Sequence, residues 1–236
     1  MACKTAAQHR SSVVRWLVSS TLPSWPLEEV ASALATRAPR PATAPSSPGA
    51  RRSAAVLLPL CMDAQGPAIL FCLRATGLSS HSGEVCFPGG GVDGDDADIV
   101  ATALRETHEE VGLEPSQIRV LGRMRNLTAK NGKQVTPVVG FVSGAIGSYL
   151  DASKLRIEKD EVQTAFTLSL KHLLEPDTLS WHNLPRRPLG RPLRGPCFRL
   201  PPDLAGMSSE VRVWGLTGFI LHTFLFDILR VERHAL

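Results

Sequence analysis

The sequence predicts an α/β domain, and three observations predict it. Apolar runs of strand length occur at 53–61, 68–74 and 135–142. One amphipathic helix pattern lies between a glycine-rich loop and a glycine stop, within 89–113. A second helical stretch, 215–230, is apolar on most sides and reads as a buried packing helix. Its His222 and Asp227 make it a poor membrane span, and no other run is long and clean enough to cross a bilayer. A chain of 236 residues with 43% apolar content can bury a sizeable core.

The net charge of +4 is a property of the first quarter of the chain. Residues 1–53 carry Lys4, Arg10, Arg15, Arg37, Arg40, Arg51 and Arg52 against Glu28 and Glu29. That leaves the remainder near neutral, so the basic balance is no signature of a nucleic-acid-binding domain. Residues 1–51 are therefore expected to form a basic Ala/Pro/Ser-rich extension, with the domain proper at 52–232. The acid-poor, Arg- and Ser-containing residues 1–27 read either as an organellar presequence, mitochondrial or other, or as a plain basic extension. They lack the apolar core of a secretory signal, and 234–236, His-Ala-Leu, are not the small-basic-leucine peroxisomal tripeptide. A short helix is expected over Trp25–Arg37, and Pro39–Gly49 reads as a linker.

Ser53–Cys61 is expected to be a buried strand, Gln65-Gly66-Pro67 a turn, and Ala68–Arg74 its hairpin partner. Ala75–Gly91 is a long shaped loop with a short strand near Val85–Phe87. Next comes the helix. At roughly 100° per residue, Val100, Leu104, Thr107 and Val111 share one core-facing stripe, and Glu106, Glu109 and Glu110 cluster on the other side. Asp95, Asp96 or Asp98 can cap the start, and Gly112 can take the left-handed stop before Pro115. The three glutamates sit at the electrostatically unfavourable end of the helix dipole. On pattern alone they read equally as a solvated acidic face or as a carboxylate site for a hard divalent cation such as Mg²⁺ or Mn²⁺.

Ile118–Arg125 and Val135–Val142 read as strands, joined through the Asn131-Gly132 turn signal. Gln163–Leu168 is a further strand, followed by a short helix that ends near Glu175-Pro176. Residues 185–202 hold five arginines and no acidic residue before Pro202, amid prolines. They read as a basic loop facing an anionic substrate or as a solvated insertion. Val211–Trp214 is a short strand. The cysteines at 3, 61, 72, 86 and 197 form no C-x-x-C pair and are odd in number, which argues against a disulfide framework or a zinc site. Cys61 and Cys72 are expected in the core, and His108 is expected to face solvent.

The stretch Gly91–Leu113 resembles the Nudix box, G-x(5)-E-x(7)-R-E-U-x-E-E-x-G-U, where U is bulky and apolar. Gly91, Arg105, Glu106, Glu109, Glu110, Gly112 and Leu113 match in register. Thr107 stands at a U position, and Ala97, with Asp96 beside it, stands where the upstream glutamate belongs. The preceding loop is similar to the signature of the coenzyme A diphosphatase subfamily. Arg74, Ala75, Gly83, Phe87, Pro88, Gly89 and Gly90 match it, and Leu78 and His81 stand at commonly used positions. Ser79 departs from it, since an arginine is expected there. A Glu-Val pair before a strand (Glu161-Val162) and a W-G-x-T opening of the last helix (Trp214, Gly215, Thr217) are also similar to that subfamily.

The resemblance implies an α/β/α sandwich with a central mixed sheet and a hydrolase acting on a nucleotide pyrophosphate. It implies Mg²⁺ or Mn²⁺ on Glu106, Glu109 and Glu110, with Glu161 either a further ligand or water-orienting base, or a solvated acid. Arg105 would orient the glutamates, and Arg74, His81, Phe87, Gly89 and Gly90 would serve the substrate. Coenzyme A or an acyl-CoA is the small-molecule partner it implies, cleaved to 4′-phosphopantetheine and adenosine 3′,5′-bisphosphate, with no nucleic acid and no membrane span. Two alternatives stand beside it: another nucleoside diphosphate derivative such as NADH or ADP-ribose, and a catalytically silent nucleotide-binding module.

Overall fold

The computed structural model describes residues 25–37, 53–77, 82–143, 149–183, 194–202, 204 and 211–231. Its centre is β1 (Ser53–Asp63), whose middle is buried on both faces. β1 turns at Ala64-Gln65 into β2 (Gly66–Arg74), and the two pair antiparallel from Leu60↔Ile69 to Asp63↔Gly66. On its other side β1 pairs in parallel with β7 (Gln134–Val142), from Ser53↔Gln134 to Leu60↔Phe141. β7 carries β5 (Ile118–Arg123) and the two-residue β6 (Leu127–Thr128), both antiparallel. β8 (Val162–Ser169) lies antiparallel along β2. The result is a mixed sheet, with sequence-remote strands supplying the parallel pair.

β1 and β2 part beyond their hairpin. The space between them is filled by β3 (Val85–Cys86), paired to Cys72 and Leu73, and by β4 (Gly89–Gly91), paired to Ala54–Val56. Leu57 N–H donates to Pro88 O at 2.8 Å and closes the seam. The glycine strand is thereby set into the sheet rather than hung from its edge.

Side chains alternate across this sheet with the two-residue period of a strand. Ala55, Leu57, Cys61, Leu70, Cys72 and Val138 face the helix α2 (Ile99–Val111). Leu58, Leu60, Ile69, Phe71 and Val139 face the opposite layer. Burial on both faces explains why the strands read as continuous apolar runs rather than alternating ones. The opposite layer holds α1 (Leu27–Arg37), α4 (Gly215–Thr223) and a three-stranded antiparallel sheet. That sheet comprises β9 (Leu179–Asn183), β10 (Arg194–Arg199) and β11 (Arg212–Val213). A short helix α3 (Leu170–Leu173) follows β8. The architecture is the expected α/β/α sandwich.

Three features depart from the sequence reading. The small sheet is new. β10 falls inside the Pro/Arg-rich stretch, yet Gly195–Phe198 are buried. Its apolar signal is diluted by Pro196 and by the flanking Arg194 and Arg199, which stay exposed. Residues 185–193 of that stretch lie outside the described residues, as do 1–24 and 38–52. α1, expected within an extension, packs Trp25, Val30 and Leu34 into the main core. Trp25 Nε1 donates to Cys61 O at 2.7 Å, and Leu34 seats against Gly122, where β5 has a register shift. A Cβ there would stand 2.9 Å from the Leu34 Cβ, and the backbone φ of +156° suits only glycine. Finally, α4 widens into a π turn at Phe224–Ile228, with Leu229 N–H reaching back to Phe224 O.

The hairpin, the strands at 118–123 and 134–142 and the Asn131-Gly132 turn stand where expected, with Gly132 at φ +82°. Cys61 and Cys72 are buried, and the four described cysteines are free. Among the described residues, no helix is long and apolar enough to cross a membrane. Trp25→Ala removes a large buried ring and the cap on the Cys61 carbonyl. Denaturant melts are expected to show a loss of about 3–5 kcal/mol. An unchanged midpoint would show that α1 is not part of the cooperative core.

Candidate active site

α2 is defined at both ends by the residues its sequence supplies. Asp98 Oδ1 accepts from Val100 N–H and Ala101 N–H, both at 2.8 Å, which settles the cap among the three candidate aspartates. Gly112 takes the left-handed stop at φ +70°, donating to His108 O. Thr107 is fully buried and donates its hydroxyl to Ala103 O at 2.7 Å, so the polar atom at this apolar position is satisfied within the helix.

The helical face differs from the angular reading in one respect. Val100 and Leu104 are only half-buried, and Glu110 is 2% exposed. The reason is β4, which crosses beside the helix and extends the buried arc over Glu110. Gly89 N–H donates to Glu110 Oε2 at 3.1 Å, and Arg74 Nη1 stands 4.0 Å from Oε1. Burial pushes the Glu110 carboxyl up to about 8; the Gly89 bond and Arg74 oppose this, while Glu106 and Glu161 add to it. Glu106 is also raised, first by burial. A Cβ on Gly90 would collide with the Glu106 carboxylate, so the bare backbone is what lets the two approach.

Arg105 organises the remaining charge. Its Nε and Nη2 bind the two oxygens of Asp96 at 2.9 and 3.0 Å, a bidentate pair. Nη1 meets Glu109 at 2.9 Å and Glu106 at 3.2 Å, and Nη2 also donates to Gly91 O at 3.0 Å. Asp96 further accepts from Thr102 Oγ1 and Asp93 N–H, each at 2.8 Å. These bonds, led by Arg105, hold its carboxyl well below the usual range. Sequence reasoning noticed Asp96 as a possible cap and as the neighbour of Ala97, and gave it no role toward Arg105. Its position beside Ala97, where the box has a glutamate, was the available signal for its role as the partner of Arg105.

The other expected residues divide. Arg74 faces Glu110, and its buried Nε has no hydrogen-bond partner among the described residues. Gly89 and Gly90 line the carboxylates, and Glu161 is exposed but near enough to raise both Glu106 and Glu110. Phe87, expected to serve the substrate, has its ring buried and stacked on Phe71 at 4.9 Å, so it anchors the loop from beneath. His81 lies outside the described residues. His108 turns away to Glu114, 3.1 Å distant. Burial, with Glu110 adding, pushes the Cys86 thiol up to about 12, so it is no nucleophile at neutral pH.

Residues 51–185 match the NUDIX domain. The chain belongs to the Nudix hydrolase family. It is 39% identical over 171 residues to a mouse protein named mitochondrial coenzyme A diphosphatase NUDT8, covering 71% of this chain and 74% of that one. The human protein of the same name is 40% identical over 171 residues, covering 71% and 66%. An Escherichia coli O1:K1 protein named uncharacterized Nudix hydrolase NudL is 34% identical over 177 residues, covering 75% and 83%.

The site fits the divalent cation that the family uses. Among the described residues, Asp96, Glu106, Glu109 and Glu110 form ion pairs with Arg74 and Arg105 alone, four carboxyl groups to two guanidinium groups, and Glu161 lies near enough to raise Glu106 and Glu110. The donors are all hard oxygens, as such ions require. As the side chains stand, with Glu106 and Glu109 drawn onto Arg105, no three His, Cys, Asp or Glu groups among the described residues converge as ligands. Gly90→Ala is expected to displace the Glu106 carboxylate. Its hydrolase activity should fall by more than about tenfold, on the scale of losing an outer-shell partner, with little change in the melting temperature. Wild-type activity in that variant would count against the tight β4–Glu106 approach.

Proposed function

We propose that the chain is a divalent-metal-dependent hydrolase of coenzyme A or acyl-CoA, releasing 4′-phosphopantetheine and adenosine 3′,5′-bisphosphate. The observation that carries this reading is the surplus of carboxylates packed against the bare backbone of β4. The similarity of Arg74–Gly90 to the coenzyme A diphosphatase signature and the names of the mouse and human relatives support the substrate. Those mitochondrial relatives and the acid-poor first residues also support an organellar location.

Glu106, Glu109 and Glu110, with Glu161, would hold Mg²⁺ or Mn²⁺. When bound, such an ion neutralises the pyrophosphate charge and acidifies a water. The protein's own groups do the rest. Gly89–Gly91 admit a phosphate without side-chain obstruction. Arg105 holds Glu106 and Glu109 in place by charge-assisted hydrogen bonds. Glu161 or Glu109, both exposed, takes the proton of the attacking water. The water oxygen bonds to one phosphorus, the bridging P–O bond breaks, and the second phosphate leaves with its oxygen. Arg74, beside Glu110, offers positive charge to the phosphate oxygens.

The test is a panel of coenzyme A, acyl-CoAs, NADH and ADP-ribose with Mn²⁺ or Mg²⁺, the products identified by mass. Coenzyme A is expected to be cleaved to the two stated products, and only when metal is present. Glu110→Gln is expected to lower turnover by more than about a hundredfold, beyond the loss of an outer-shell partner. Full activity in that variant would sink the metal assignment, and turnover confined to NADH or ADP-ribose would move the substrate.

A further inference from the structure

A second group of chemistry-bearing side chains lies outside the carboxylate site. A cavity of about 180 Å³ sits between β10, β11 and the start of α4, lined by His182, Cys197, Arg212 and Trp214 among others. Trp214 is 38% exposed, and Lys130 Nζ stands 5.5 Å from the centre of its ring. This cation–π contact holds the ammonium beside Trp214, one of the residues that line the cavity. Among the described residues, neither Lys130 nor Arg212 has a carboxylate within ion-pair distance. Arg212 in the lining and Lys130 beside Trp214 thus bring positive charge to this region, the reverse of the glutamate cluster.

Two connections place it next to that cluster. β11 packs on β3, whose Cys86 feels both Glu110 and Arg74. The tight turn that carries Lys130 is closed by Gly132 N–H on Ala129 O, and it leads directly into Lys133. Lys133 Nζ lies 3.4 Å from where a Cβ on Gly91 would stand. One short turn therefore reaches the glycine strand with one lysine and Trp214 with another. The cavity and β4 are thus linked through this turn and through β3.

We infer that this cavity binds a phosphate monoester that the substrate carries apart from its scissile pyrophosphate, namely the 3′-phosphate of coenzyme A. The inference rests on the coenzyme A reading above. It also supplies what Ser79 lacks, since the subfamily signature has an arginine at that position. Arg212 presents a planar fork suited to two phosphate oxygens, and Lys130 adds a point charge. Trp214 is a positioning residue that holds Lys130 beside the cavity.

Two measurements test it. The first compares kcat/KM for coenzyme A and 3′-dephospho-coenzyme A. The second compares calorimetric binding of adenosine 3′,5′-bisphosphate and adenosine 5′-monophosphate. Arg212→Ala is expected to lower kcat/KM for coenzyme A by about tenfold or more, the worth of a hydrogen bond to a charged group. It should leave 3′-dephospho-coenzyme A unchanged and erase the preference for the bisphosphate. Lys130→Ala, on an exposed turn, should act in the same direction and keeps the test open if Arg212→Ala does not fold. Trp214→Leu should reproduce the Lys130→Ala effect, and Trp214→Phe should restore it. Folded Arg212→Ala and Lys130→Ala proteins that still discriminate by the 3′-phosphate overturn the proposal. A wild-type protein that does not cleave coenzyme A removes the substrate reading, while the calorimetric comparison still decides the cavity.

Discussion

The Glu110 carboxylate, buried beside β4 and held by the Gly89 N–H, is the constraint on which the rest depends. A carboxylate that exposes 2% of its surface is costly unless it is bonded and balanced. Here the balance is incomplete: one backbone donor and a guanidinium at 4.0 Å stand against two neighbouring carboxylates. The sheet pays for this by holding the partners rigidly. β4 is clasped between β1 and the α2 helix, and the Leu57–Pro88 bond fixes the entry to the glycines. Stacking of the buried Phe87 ring on Phe71 fixes it from below.

Arg105 solves a different problem. The C-terminal half of a helix repels anions, yet Glu106, Glu109 and Glu110 all lie there. Arg105 reaches from the helix to Asp96 and Gly91, so the loop, the helix and two of the glutamates are joined through one guanidinium. Its charge is spread over three carboxylates. That leaves a surplus of carboxyl groups, the electrostatic setting that favours a divalent cation.

Much of this was legible in the sequence, because the signals were local. The helix caps, the glycine stop and the spacing of the three glutamates depend on neighbours within a turn or two, and Asp98 and Gly112 do what their chemistry allows. Continuous apolar runs gave the central strands because burial on two faces leaves no polar alternation. What escaped notice depends on long-range packing. An angle count places Glu110 opposite the core, since it cannot know that β4 will cover that flank. The burial of Phe87 against Phe71 likewise depends on a strand remote in sequence. Cys197 and Phe198 were too few apolar residues, among prolines and arginines, to announce β10. Asp96 became the partner of Arg105 only through a loop whose path no period describes.

Trp25 gives the chain an operational boundary. Its indole is fastened to the Cys61 carbonyl and packed near Phe224, joining the start of the described structure to its central strand and its last helix. Proteolytic trimming that spares the fold must therefore stop upstream of Trp25, and a mature form cut at the domain's first strand would lose one wall of its own interior.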